Sequence, residues 1–418
     1  MRYKKEFWDT IYLVALQGLN YVAPLIVYPY LMIVLGAEKF GYIGFSLAII
    51  QYLMLIVDFG FNLSATKRIA IAQNNQSELN NIFSATLNAK LGLLCISFLF
   101  SLFLAFGIPK FSIYSTTMMI LFIMVIANTF SFVWLFQGLG KIRTISIVNI
   151  ISKLLILPLT FFFVKVPSDY NKAALIQSLV YVLSSSITCV ILLNKKYITN
   201  YKIKTTKKQV LEEIKASYPI FISNAATTIY TALFAIILGY FSTPVEVGKY
   251  TAVEKIMRSF CYLIFVPIVQ SFYPKVSYLS IIESKEAIKL VRKIILIIII
   301  LMSSIFCLLF FLSPYISIFL GKGYQGTEKI FKIMSIIPLF IAVGGIFGQL
   351  GILALGKETD KKKFQRVYII ASIVAIVSIF ILVPKFQSIG ASFALLLTEF
   401  TVCILMSFYG KKVLFIRE

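Results

Sequence analysis

Apolar runs of about 20 residues or more follow one another from about residue 10 to about residue 410, and this limits the chain to folds whose backbone satisfies its own hydrogen bonds. With 59% hydrophobic and 14% charged residues and a mean hydropathy of +0.91, it carries more apolar surface than a water-soluble domain could hide. Lipid is the solvent for most of it. The reading is an all-α integral membrane protein, and the spacing predicts twelve transmembrane helices at about 10–35, 41–64, 83–107, 115–137, 144–166, 170–193, 217–241, 248–272, 294–320, 330–355, 365–384 and 388–410. The first run follows Arg2, Lys4 and Lys5, is too long for the apolar region of a signal peptide and has no small-residue cleavage site. It is expected to remain as the first helix.

A formal charge of +23 would suit a nucleic-acid binder, but the lysines and arginines are scattered through short loops instead of lining one groove, so no nucleic-acid partner is expected. They read as topology. About three times as many fall on the side of the N-terminus as on the other, which places both termini in the cytoplasm. Three cations, Lys153, Lys255 and Arg258, are counted within spans.

Enzymatic chemistry finds little support. The five cysteines (Cys95, Cys189, Cys261, Cys307, Cys403) lie in apolar runs without CxxC spacing and there is no histidine, which argues against disulfides, a metal site and histidine-based catalysis. Four aspartates (Asp9, Asp58, Asp169, Asp360) leave no DxD pair, no GxSxG elbow is present, and the predicted outer loops are short. The run from Gly351 to Glu358 matches a phosphate-binding loop except that Glu358 replaces the Ser or Thr, and it closes a predicted helix instead of following a strand. Nucleotide binding is not expected, and no cofactor is called for.

The longest polar connection, Asn194 to Ala216, contains Lys195, Lys196, Lys202, Lys204, Lys207 and Lys208 and divides the chain into 1–200 and 201–418, six predicted helices each. Its plainer role is to hold topology and touch anionic headgroups. The halves echo each other. Ile33-Val34-Leu35-Gly36 followed by Phe40-Gly41-Tyr42 recurs as Ile236-Ile237-Leu238-Gly239 followed by Val247-Gly248-Lys249-Tyr250, and Leu139-Gly140-Lys141 recurs as Leu355-Gly356-Lys357. Six helices per half make the repeat parallel, as in transporters with a cargo path between two bundles. Pro24 and Pro29 are expected to bend the first helix, and Gly344, Gly345, Gly348 and Gly351 form a small-residue face suited to close packing or to a hinge.

An ionisable residue at the bilayer centre costs about 2.5–3.5 kcal/mol on insertion scales unless it faces protein or water. By that test the candidates are Asp58 with Asn62 in the second helix, Lys153 in the fifth, Glu254, Lys255 and Arg258 in the eighth, and Glu399 in the twelfth. Glu254 and Arg258 are spaced to pair with each other. The remaining cations, with Lys67 and Arg68 where the second helix ends, would suit an anionic headgroup such as a pyrophosphate. Gln17, Tyr21, Pro24 and Tyr28 form a polar and aromatic stripe on the first helix that could contact sugars or lie at the membrane interface.

Four stretches carry a resemblance: Leu35-Gly36-Ala37-Glu38-Lys39-Phe40-Gly41, Asp58-Phe59-Gly60-Phe61-Asn62-Leu63-Ser64-Ala65-Thr66-Lys67, Trp134-Leu135-Phe136-Gln137-Gly138-Leu139, and Val247-Gly248-Lys249-Tyr250-Thr251-Ala252-Val253-Glu254-Lys255. In this order and spacing the chain resembles the polysaccharide (O-antigen type) flippases of the multidrug/oligosaccharidyl-lipid/polysaccharide exporter superfamily. The resemblance implies a MATE-like fold of two six-helix bundles around a central cavity. It also implies translocation of an undecaprenyl-pyrophosphate-linked oligosaccharide from the cytoplasmic to the periplasmic leaflet of a bacterial inner membrane by alternating access. Lipid II flippases, with two additional helices, are the less similar relatives. Lys153, Lys255, Arg258, Lys67 and Arg68, with Gln17 and Tyr21, are then the candidate substrate-binding residues. Asp58, Glu254 and Glu399 are candidates for charge balance or for coupling to a proton or sodium gradient. Membrane lipids, a glycan polymerase and a chain-length regulator are the candidate partners. Where the family often has an acidic residue after the Gln-Gly of the fourth helix, this chain has Gly140. A multidrug extruder of the same superfamily and a membrane-embedded glycan polymerase or acyltransferase are the alternatives; the first would favour an acidic cavity, the second a covalently altered product.

Overall fold

The structure is a computed structural model that describes the backbone of residues 2–195, 197–199 and 205–416. Side chains are described from residue 25 to residue 414, apart from 196, 200–204, 223, 226, 227, 229, 230, 358 and 361. Every regular element among the described residues is helical: α1 (Arg2–Asp58), α2 (Phe61–Ile71), α3 (Gln76–Leu102), α4 (Ser115–Thr129), α5 (Val133–Gly138), α6 (Ile142–Leu154), α7 (Ile156–Phe163), α8 (Tyr170–Lys195), α9 (Lys207–Phe241), α10 (Pro244–Ile282), α11 (Ser284–Leu312), α12 (Ile316–Leu320), α13 (Thr327–Met334), α14 (Ile337–Ile346) and α15 (Glu358–Ile416). Short 3-10 or π-helical pieces join some of them.

Eight described segments are long and apolar enough to cross a bilayer, against the twelve predicted. The difference has two physical sources. Leu25–Ile71 and Lys362–Leu414, of 47 and 53 residues, each hold two predicted helices and would reach roughly 70–80 Å if straight, over twice the ~30 Å hydrocarbon core. Each contains a residue outside helical geometry, Gly36 (φ 70, ψ 171) in α1 and Gln387 (φ 49, ψ −126) in α15. In addition, α10 carries Glu254, Lys255 and Arg258 within its length, and in α9 the fully described apolar stretch is Thr231–Phe241. The backbone stays helical through Pro24 and Pro29, so the break in α1 comes at Gly36 and not at the prolines.

The chain forms two compact units, one of residues 1–27 with Tyr42–Thr228, the other of Tyr28–Gly41 with Ile229–Glu418. In the first, Phe61, Phe83, Trp134 and Phe136 pack with Ile145, Leu192 and Ile198, and α4 lies along α8. In the second, Cys261, Val291, Ile298, Ala342, Leu350 and Met406 form the core where α10, α11, α14 and α15 meet. The outward faces stay apolar, with Phe162, Phe311 and Ile318 each more than 70% exposed, as suits a surface solvated by acyl chains.

The glycine face on α14 and the π-helical turn after it is a packing face. A Cβ on Gly344 would come within 3.0 Å of Cys403 Cα, and one on Gly345 or Gly348 would meet the Phe265 or Phe364 ring. Tighter still is the contact in the second unit between the repeated glycines: a Cβ on Gly41 would run into the Pro244 carbonyl oxygen, and one on Gly248 into the Ala37 carbonyl oxygen. Neither backbone neighbour can swing aside as a side chain could. Gly248→Ala is therefore expected to destabilise the protein by about 1–3 kcal/mol, read as a lower thermal-unfolding midpoint in detergent; an unchanged midpoint would show that α1 and α10 do not approach this closely.

Candidate functional site

In the first unit the site starts from interrupted helices. At Phe59 (φ 39) and Gly60 (φ 84) the backbone turns left-handed between α1 and α2, and a Cβ on Gly60 would meet the Ile220 side chain and the Ser217 carbonyl at 2.9 Å. Phe59 adopts a conformation that costs about 1–3 kcal/mol, and its ring is stacked on Phe221 at 4.3 Å between centroids. A second left-handed break, at Phe132 (φ 48), separates α4 from α5. Asp58 is the last residue before the first interruption, and Asn128 lies in the last turn before the second.

These two side chains meet, and a third joins them. Lys90 Nζ donates to Asp58 Oδ1 at 3.0 Å, and Asn128 Nδ2 donates to the same oxygen at 3.1 Å. The Lys90 side chain is 1% exposed and that of Asp58 26%. Asp58 also lines a cavity of about 300 Å³ with Leu55, Gly60, Asn62, Leu63, Asn224 and Thr228. Lys90 escaped the sequence reading, which counted it with the adjoining loop; α3 carries it about four turns in from Gln76. The signal was available, because Lys90 falls inside the apolar run assigned to the third helix. Asn128 carries no charge and gave none.

Of the cations assigned to this unit, Lys67 is exposed on α2 and Lys153 is half-buried in the last turn of α6. Arg68 bonds Glu213, whose side chain is 1% exposed. This pair belongs to a strap: the Ser64 and Ser217 hydroxyls bond each other, Asn88 Nδ2 donates to Thr205 Oγ1 at 2.8 Å, and Asn80 Nδ2 donates to Thr199 Oγ1 at 3.0 Å. The connection read as a polybasic loop is thus fastened to α2 and α3 at its described residues, and α9 is already helical from Lys207; Lys196, Lys202 and Lys204 lie outside the described residues.

In the second unit the predicted residues of α10 and α15 come together. Arg258 Nε donates to Glu254 Oε1 at 2.9 Å, Nη1 donates to the Tyr262 hydroxyl at 3.4 Å, and Nη1 lies 3.9 Å from Glu399 Oε1. Glu399 is 3% exposed. Two carboxylates flank one guanidinium, and its Nη2 is buried without a partner among the described residues. Lys255 points elsewhere: its ammonium sits 4.4 Å from the centre of the Tyr28 ring, a cation–π contact that gives the lower end of the first-helix stripe a partner. The side chains of Gln17 and Tyr21 lie outside the described residues. No group of three or more metal-ligating side chains occurs among the described residues.

Comparison with known proteins gives this arrangement a family. The family model described as "Polysaccharide biosynthesis protein" matches residues 8–280. The chain belongs to that family. It is 31% identical over 97% of its length to a protein of Escherichia coli (strain K12) named "Putative O-antigen transporter", of which it covers 96%, and 30% identical over 95% to one of the same name from Shigella dysenteriae, of which it covers 98%. Among solved structures it shares its fold with the lipid II flippase MurJ in an inward closed conformation, at TM-score 0.74 and 16% identity over 98% of this chain and 90% of that one. An inward-facing MATE family multidrug resistance transporter of the MOP superfamily matches at TM-score 0.70 and 13% identity, over 98% and 95%. The family member is thus a multi-pass membrane protein with a MATE-like, all-α fold.

Two outcomes follow from the geometry. Asp58→Ala strands a buried ammonium and is expected to cost about 3–5 kcal/mol, whereas Asp58→Ala with Lys90→Met recovers most of it; a double-mutant cycle on unfolding in lipid nanodiscs measures this, and simple additivity would deny the pair. Burial holds the Glu213 carboxyl above its ordinary range, outweighing the opposite pull of Arg68. The folded state then binds the proton more tightly than the unfolded one, so stability rises as pH falls through the raised value toward the ordinary carboxylate range. Glu213→Gln should flatten that part of the thermal-midpoint profile, and an unchanged slope would reject Glu213 as its source.

Proposed function

We propose that the protein is a flippase that carries an undecaprenyl-pyrophosphate-linked oligosaccharide, an O-antigen or capsule repeat unit, from the cytoplasmic to the periplasmic leaflet of a bacterial inner membrane, with both termini cytoplasmic. The observation that carries this reading is the 31% identity to the "Putative O-antigen transporter" over nearly the whole of both chains. The physics of the cargo supports it. A pyrophosphate and a set of sugar hydroxyls cannot cross hydrocarbon unaided, whereas a polyprenyl tail can remain in the lipid, so the protein has only to shelter the head. Alternating access then moves the head without opening a continuous pore.

In this mechanism Lys255 and Arg258, with Lys67, Arg68 and Lys153, attract the pyrophosphate. Glu254 and Glu399 balance the charge of Arg258 and Asp58 that of Lys90, and a proton or sodium gradient is the candidate driving force. Gln17 and Tyr21 are proposed to contact the sugars. A glycan polymerase and a chain-length regulator would receive the cargo on the far side.

Deletion of the gene should trap completed single repeat units on the cytoplasmic leaflet, detected by leaflet-specific accessibility in spheroplasts and inverted vesicles. Complementation with Lys255→Ala, Arg258→Ala or Glu399→Gln, each inserted normally, is expected to lower polysaccharide export about tenfold or more. Wild-type export by all three would reject these residues. Unpolymerised units on the periplasmic face of the deletion strain would replace the flippase by a polymerase.

A further inference from the structure

We infer that the cavity beside the Phe59–Gly60 interruption in the first unit is a subsite for an uncharged sugar of the cargo, recognised through its hydroxyl groups. The inference rests on the flippase reading above and adds to it where the glycan, as distinct from the pyrophosphate, is held.

Three observations carry it. The first is size: about 300 Å³ lies at the lower end of small-molecule sites and suits one sugar ring better than a chain of them. The second is the kind of polar group on the wall. Asp58, Asn62, Asn224 and Thr228 supply a carboxylate, two amides and a hydroxyl, set between Leu55 and Leu63. Sugar hydroxyls donate and accept at once, and amides and a carboxylate answer both needs. Both hydrogen bonds to Asp58 fall on Oδ1, so Oδ2 is placed to accept from a ligand hydroxyl.

The third is charge. Lys90 neutralises Asp58 from the buried side, and the described residues of the cavity wall include no cation, so none of them draws a pyrophosphate. A monovalent cation fits poorly as well. Seated at Oδ2 it would share one carboxylate with the Lys90 ammonium, whose charge already offsets that of Asp58. An uncharged polyhydroxyl meets neither obstacle. Asp58 and Gly60, on either side of left-handed Phe59, both line the cavity.

The test uses full-length protein in lipid nanodiscs and two probes: undecaprenyl pyrophosphate, and the host's repeat unit still attached to that lipid. Asn62→Ala and Thr228→Val change the cavity wall without touching the Asp58–Lys90 pair. Each is expected to weaken binding of the glycosylated probe by about three- to tenfold and to leave undecaprenyl pyrophosphate binding unchanged. Equal weakening of both probes, or of neither, overturns the subsite. So does sodium-dependent competition for the glycosylated probe that these variants abolish, which would make the cavity a cation site. A wild-type protein that binds neither probe overturns the flippase reading itself, and the subsite falls with it.

Discussion

Everything in this fold follows from the cost of an unpaired peptide group in hydrocarbon. Each backbone N–H and C=O left without a partner at membrane depth costs several kcal/mol, so the chain forms helices wherever lipid can reach it. Departures from that rule are then informative. The left-handed residues Phe59, Gly60 and Phe132 free helix ends in the first unit, and Asp58, at the close of a helix, accepts from both Lys90 and Asn128, which itself lies in the last turn of a helix. Helices here are interrupted where polar side chains converge.

The same cost governs the ionised side chains. In the first unit a lysine that is almost wholly buried is matched by one carboxylate, whose same oxygen also accepts from an amide. In the second, one guanidinium is held between two carboxylates from α10 and α15. Such groups contribute little net stability compared with well-packed apolar side chains, since desolvation offsets most of the attraction. Their worth lies in placing charge at a defined depth and in making the removal of any one member expensive.

The sequence carried the membrane assignment, the helical class and most charged members of both clusters, because apolar run length and the rarity of intramembrane charge are properties of composition. It also supplied the Glu254–Arg258 pairing, which needs only the helical repeat. Partners that depend on tertiary packing were illegible. Nothing in the spacing says that Asp58 meets Lys90 32 positions later, or that Glu399 approaches Arg258. The fastening of the polar connection between halves was illegible for a related reason: its lysines dominate its composition, whereas Thr199, Thr205, Glu213 and Ser217, which fasten it, are ordinary surface residue types. The first-helix stripe was read through its aromatic residues, but Tyr28 faces an ammonium, a partner that composition does not reveal.

The crossing of Gly41 and Gly248 has a consequence for the descent of such a chain. Read as a parallel repeat, the two glycines are one ancestral position written twice, and here that position touches the segment bearing its own duplicate. A residue that meets itself in this way is constrained as in an interface between identical subunits, where any added atom is added on both sides. Two covalently joined copies would be free to diverge at most positions. At this one a side chain added in either copy would meet the other's backbone, so a repeat would stay legible here longer than at positions with room to change.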